Sequence, residues 1–205
     1  LLLLALCNST RKLILANLLK KYRGEPSIQV IEDHVPVERL TDIISYALMP
    51  NHIHLIVKER KVGGISRFML KLMTAYSMYF NTKYERSGPL FTRPFRSKHI
   101  DSDEYSRWVF SYVLLNPLEL FQPDWKIRGL SNKQGAATFM QTYRYGSFPD
   151  YLGTRPESRI LEKSAVPFDI ASIKSIDDLL FELSKDTESY QEDFFGKVTA
   201  APALI

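Results

Sequence analysis

The 205 residues are 45% hydrophobic and 24% charged, which is enough apolar material for a real core and excludes a disordered chain. A single cysteine, Cys7, excludes an internal disulfide framework, so the thiol reads as a small core side chain and the protein as one of a reducing compartment, the cytoplasm. The formal charge of +4 is unevenly spread: residues 1–168 hold 24 Lys and Arg against 15 Asp and Glu, net +9, and residues 169–205 hold 3 against 8, net −5. An anionic partner belongs on the basic part.

In chain order, the opening LLLLALC is too short to cross a bilayer, has no basic region before it and runs at once into NSTRK. It reads as a helix rather than an anchor or signal peptide, and no membrane contact is expected. Leu13, Leu15, Leu18 and Leu19 continue at helical spacing as far as Gly24-Glu25-Pro26. Residues 27–32 (SIQVIE) read as a short strand or a lead-in, and residues 43–48 (IISYAL) as a firmer strand. Pro50-Asn51 then turns the chain into a second strand within MPNHIHLIV, residues 49–57.

Gly63-Gly64 breaks the chain and Ser66 is the expected helix cap. Ile65, Phe68, Met69, Leu72, Met73, Tyr76, Tyr79 and Phe80 predict a helix over 65–82 whose apolar stripe places Tyr76 and Tyr79 in the core. Residues 83–98 (KYERSGPLFTRPFRSK) interleave bases and rings around a Ser-Gly-Pro turn. Such a segment suits a single-stranded nucleic acid, with Arg86, Arg93, Arg96 and Lys98 for phosphates and Tyr84 and Phe91 for stacking; its bland reading is a loop docked by its own aromatics. A third helix opens at Asp101 to Glu104, acidic at its positive end, and runs to Asn116, where Pro117 stops it. Beyond residue 118 the pattern is irregular, and residues 169–195 predict an acidic helical tail.

Within MPNHIHLIV, His52 and His54 are two apart, so on a strand they share one face while Ile53, Leu55 and Val57 take the other. By itself the pair reads equally as core hydrogen bonding or as ligands. Tyr112 and Asn116, in SYVLLNP, are four apart and share one face of the third helix. That face would deliver a phenol and an amide oxygen side by side to the histidines. The set supplies a nucleophile and three metal ligands, and phosphodiester cleavage is the chemistry that needs them. A phenol is a poor nucleophile at neutral pH and a phosphodiester is already negative, so a divalent cation, Mg2+ or Mn2+, is expected with it.

Rival residues read as less fit. Tyr76 and Tyr79 fall on an apolar stripe, Tyr84 suits a stacking role, Tyr46 reads as structural, and His34 and His99 each stand alone.

MPNHIHLIV, the glycine break, ISRFMLKLMTAYSMYFN, RSGPLFTRPFRSKHI and YVLLNP together resemble the single-tyrosine HUH transposases of the insertion-sequence 200-like family, with the REP-associated tyrosine transposases as the nearest group. The likeness covers roughly residues 43–120, with weaker echoes at TYRYGSFPDYLG, residues 142–153. It implies an α+β fold: a ferredoxin-like antiparallel sheet with helices packed on one face, over residues 1–155, followed by a C-terminal helical extension at 156–205. It also implies that His52, His54 and Asn116 bind the metal and that Tyr112 forms a transient 5′-phosphotyrosine with single-stranded DNA, recognised as a hairpin by a monomer or homodimer. The family's first strand precedes helix one, so that strand is expected ahead of Leu1, the alternative being a sheet shorter than in relatives. Two alternatives stand beside the enzyme: a domesticated protein that grips DNA hairpins without cutting, and a small phosphate-ester hydrolase that uses the histidines alone.

Overall fold

The computed structural model describes residues 1–10, 38–91, 94–152, 155, 160–185 and 190. The expected helix around Leu13 to Leu19, the segment 27–32, His34 and Arg93 lie outside the described residues. The rest is α+β. Its strands are β1 (Thr41–Leu48) and β2 (Ile53–Glu59). The helices are α1 (Leu2–Cys7), α2 (Gly64–Lys83), α3 (Asp103–Leu115), α4 (Leu118–Phe121), α5 (Trp125–Arg128), α6 (Lys133–Thr142), α7 (Phe148–Tyr151) and α8 (Ile176–Ser184). No helix among the described residues is long and apolar enough to cross a membrane.

The two strands pair as a hairpin. The Met49 N–H donates to the His52 carbonyl at 2.8 Å, which closes the turn around Pro50-Asn51 and forces an antiparallel pair. His52 therefore stands just before β2 rather than inside it, and His54 is the second residue of the strand. β1 is buried almost throughout, because its other edge is also paired. Isolated bridges join Ile43 to Leu161 and Ala47 to Gly146, and the Ser147 N–H donates to the Tyr46 carbonyl at 2.9 Å.

The described residues divide into two compact units. The first lies within Leu1–Ile43, Val57–Ser97 and Arg159–Glu162. Here α1 packs on α2, burying Leu4, Leu6, Phe68, Met69 and Leu72. Asn8 takes the place of a strand partner for Thr41, accepting from its N–H at 2.9 Å and donating to its carbonyl at 2.8 Å. Cys7 is buried, as expected, and burial pushes its thiol up to about 11. The α2 cap differs from expectation. Gly63 holds the cap position with φ of 73°, a left-handed conformation that Gly adopts without strain, so Ser66 lies inside the helix. A Cβ on Gly64 would meet the Leu40 carbonyl oxygen at 2.4 Å, so only a glycine allows this approach. Tyr76 and Tyr79 are also corrected: they are 40% and 46% exposed, because the buried stripe of α2 ends at Leu72.

The second unit lies within Ile44–Ile56, Lys98–Ser158 and Lys163–Ile205. Its core is built on α3, whose Trp108, Val109, Phe110, Val113, Leu114 and Leu115 are all buried. α8 packs against α3, and its start is fixed by a capping box between Ser175 and Asp178. Beneath β1, the Tyr151 hydroxyl donates to the Ile44 carbonyl and Asp150 pairs with Arg155.

Candidate active site

The hairpin turn sets the two histidines side by side. Their Nε2 atoms lie 3.0 Å apart and their rings are perpendicular, with centroids at 4.7 Å. His52 Nδ1 is 2.7 Å from the Asn51 side-chain oxygen. With that oxygen accepting from Nδ1–H, the Nε2 of His52 carries a lone pair directed at its neighbour. Burial, then the positive charges of His52 and Lys126, push His54 down to about 3. His52 is also lowered, by burial first and by Lys126, against the opposing pull of Glu119. Both imidazoles are therefore neutral at neutral pH, the form that donates to a metal.

Opposite them, Ser102 caps α3 by accepting from the Tyr105 N–H at 3.2 Å, and Asp103 and Glu104 lie in its first turn. The helix ends with Asn116 at its C-cap, ahead of Pro117. Tyr112 is 5% and Asn116 1% exposed. The Tyr112 ring stacks on Trp108, one turn earlier, at 5.5 Å and 10°, and meets the His54 ring edge-on at 5.5 Å and 87°. Burial and then the Glu119 carboxylate raise the phenol well above its ordinary value, and the Asn116 amide beside it acts the other way. The resting phenol is thus protonated.

Neither amide atom of Asn116 makes a hydrogen bond of normal geometry, although both are buried. A buried polar group without a well-formed partner costs about 1–3 kcal/mol, a cost that the contact with the Tyr112 hydroxyl offsets in part. Among the described residues no cluster of three His, Cys, Asp or Glu side chains could hold a metal. Asn116, one turn beyond Tyr112 on α3, offers a carboxamide oxygen as a donor of another type. Two neutral imidazoles and a carboxamide oxygen fit a divalent cation of the Mg2+ or Mn2+ kind.

Two further side chains belong to this site and were not foreseen. The Lys126 ammonium, on α5, donates to the Tyr112 hydroxyl at 3.5 Å, sits 4.5 Å from the ring centroid and pairs with Glu119 of α4. Both follow Pro117, where no periodic pattern marks them. Trp108, by contrast, is four residues before Tyr112 on a helix, a spacing that could have identified it as the ring's support.

The model of the family described as "Transposase IS200 like" matches residues 6–114. The chain belongs to the IS200-like transposase family. A search of curated proteins and a search of solved structures each return no match. The span matched to the transposase family contains both histidines and reaches Tyr112, while Asn116, Glu119 and Lys126 follow it. Membership of a transposase family makes DNA the partner.

In this transposase the basic loop after α2 is exposed at Arg86, Arg96 and Lys98. Tyr84 is 55% exposed, with its ring 4.5 Å from Phe80, and the Arg86 guanidinium lies 5.6 Å over Phe80. Phe91 is half-buried, 6.2 Å from Tyr76. His99 is exposed.

Proposed function

We propose that this transposase is a metal-dependent single-stranded DNA endonuclease and strand transferase of the single-tyrosine HUH type, closest to the REP-associated group, with a ferredoxin-like sheet as its framework and residues 1–155 as its catalytic domain. The observation that carries the reading is the placement of the Tyr112 ring against His54, with the buried Asn116 amide one turn on, beside the phenol.

Tyr112 is the nucleophile. Its oxygen attacks the phosphorus of a backbone phosphodiester, the bond from phosphorus to the 3′-oxygen breaks, and the DNA 5′-phosphate is left on tyrosine. The phenol gives up a proton and the released 3′-oxygen takes one, so the exchange needs no nucleotide cofactor. Trp108 and His54 fix the ring on two sides, which removes the freedom a tyrosine would otherwise have to lose on the way to in-line attack. A divalent cation, Mg2+ or Mn2+, held by His52, His54 and Asn116 would polarise a non-bridging phosphate oxygen. A second strand end later attacks the phosphotyrosine and restores Tyr112. Hairpin recognition rests on phosphate contacts from Arg86, Arg93, Arg96 and Lys98 and on stacking by Tyr84 and Phe91.

The test is a labelled single strand containing a hairpin, incubated with the protein and Mn2+. A denaturant-resistant protein–DNA adduct that disappears in Tyr112→Phe supports the enzyme. Tight hairpin binding with no adduct on any of a broad panel of strands would replace it with the non-cutting binder.

A further inference from the structure

The pairing of Lys126 with Glu119 is unlike its neighbour on the same short helix. Arg128 pairs with Asp124 at 78% and 43% side-chain exposure, an ordinary surface contact of little energetic consequence. Lys126 and Glu119 are 29% and 33% exposed, and the ammonium is turned towards Tyr112, reaching both its ring face and its hydroxyl. Trp125, buried beside it, anchors α5, while Ile127 on the other side is 89% exposed. The helix thus has one charged side chain folded in beside the phenol and the next pointing to water.

We propose that Lys126 is a further catalytic residue of the strand-cleaving site: its ammonium contacts the reacting oxygen of Tyr112 and the phosphate that this oxygen attacks, and Glu119 holds it there until DNA arrives. The inference rests on the single-tyrosine reading. In that reaction the bond from Oη to phosphorus forms as the bond to the 3′-oxygen breaks, and the charge on the five-coordinate phosphorus group is greatest midway. A cation fixed beside Oη stabilises that charge more than it stabilises the bound strand, which is the condition for raising the rate rather than the affinity. Lys126 keeps its protons throughout. The phenol proton leaves through solvent and the 3′-oxygen is protonated from it. Glu119, which already pairs with the ammonium, prevents the cation from folding away into water in the resting protein.

The experiment is single-turnover adduct formation at saturating hairpin strand with Mn2+, alongside strand affinity without metal and thermal unfolding, for the wild type, Lys126→Met and Lys126→Arg. Removing the charge is expected to slow adduct formation by about 100-fold, the scale on which a preorganised electrostatic group acts. Affinity should change less than about 3-fold, as for one phosphate contact among several, and the melting temperature should be retained. Arg should recover most of the rate. An unchanged rate in Lys126→Met, or a loss matched by lost affinity and not relieved by Arg, overturns the role of Lys126 while leaving the enzyme reading intact. A wild-type protein that forms no adduct at all overturns both.

Discussion

The Nε2 atoms of His52 and His54 face each other at 3.0 Å across a single intervening residue, Ile53. Two such nitrogens cannot both carry a proton at that distance, and burial, deeper for His54 than for the half-buried His52, disfavours the charged form of each, so the pair is held neutral by its surroundings.

That neutrality fixes the sign of a pH effect on the metal-free protein. Both folded values lie below the ordinary histidine value of 6.5, with His54 at about 3. The unfolded chain therefore binds protons in the range where the folded one does not, and stability falls as pH drops from about 6.5 towards 3 and is fully present above that window. For His54 the slope approaches about 1.4 kcal/mol per pH unit. Urea melts at pH 7.5, 6 and 5 measure it, and His54→Gln should flatten the acid side.

Tyr112→Phe keeps the stack on Trp108 and the edge contact with His54 and removes only the oxygen. The long 3.5 Å contact from Lys126 and the contact with the Asn116 amide are among those lost, so the change in unfolding free energy should stay within about 2 kcal/mol. Adduct formation on denaturing gels should be abolished. A destabilised, still reactive variant would show that another side chain attacks.

Asn116→Leu separates metal binding from folding. The amide makes no hydrogen bond of normal geometry, only its contact with the Tyr112 hydroxyl, so an apolar side chain of similar size should change the stability of the metal-free protein by no more than about 1 kcal/mol in either direction. Mn2+ is expected to raise the melting temperature of the wild type and to leave that of the variant unchanged. Calorimetric scans with and without the ion report both quantities.

At Gly64 two effects oppose each other. Alanine raises helix propensity by about 1 kcal/mol, yet its Cβ would lie 2.4 Å from the backbone oxygen of Leu40. Overpacking against backbone costs about 1–3 kcal/mol, so Gly64→Ala should be net destabilising, as a lowered urea midpoint would show.

Much of this site was legible in the sequence because its parts obey local periodicities. The hairpin and α3 follow from alternation, helical spacing, Pro50-Asn51 and Pro117, and those two elements carry His52, His54, Tyr112 and Asn116. What was not legible depends on chain returning from afar. Glu119 and Lys126 reach Tyr112 from two four-residue helices too short to have a pattern, and β1 is closed by residues near 146 and 161 whose sequence shows no strand alternation. Tyr76 and Tyr79 illustrate another limit. Periodicity finds the apolar stripe of α2, but how far along it the neighbouring α1 extends is set by tertiary packing.

The rings of the second unit form a continuous line. Tyr190 lies 5.9 Å from Trp108, Trp108 lies 5.5 Å from Tyr112, and Tyr112 meets His54. Tyr190 is thus joined through ring contacts to the tyrosine proposed as the nucleophile. Shortening the protein to residue 155 would strip away both α8 and the first ring of that line, loosening the wall behind the phenol, and the damage would register in turnover before it registered in the grip on DNA.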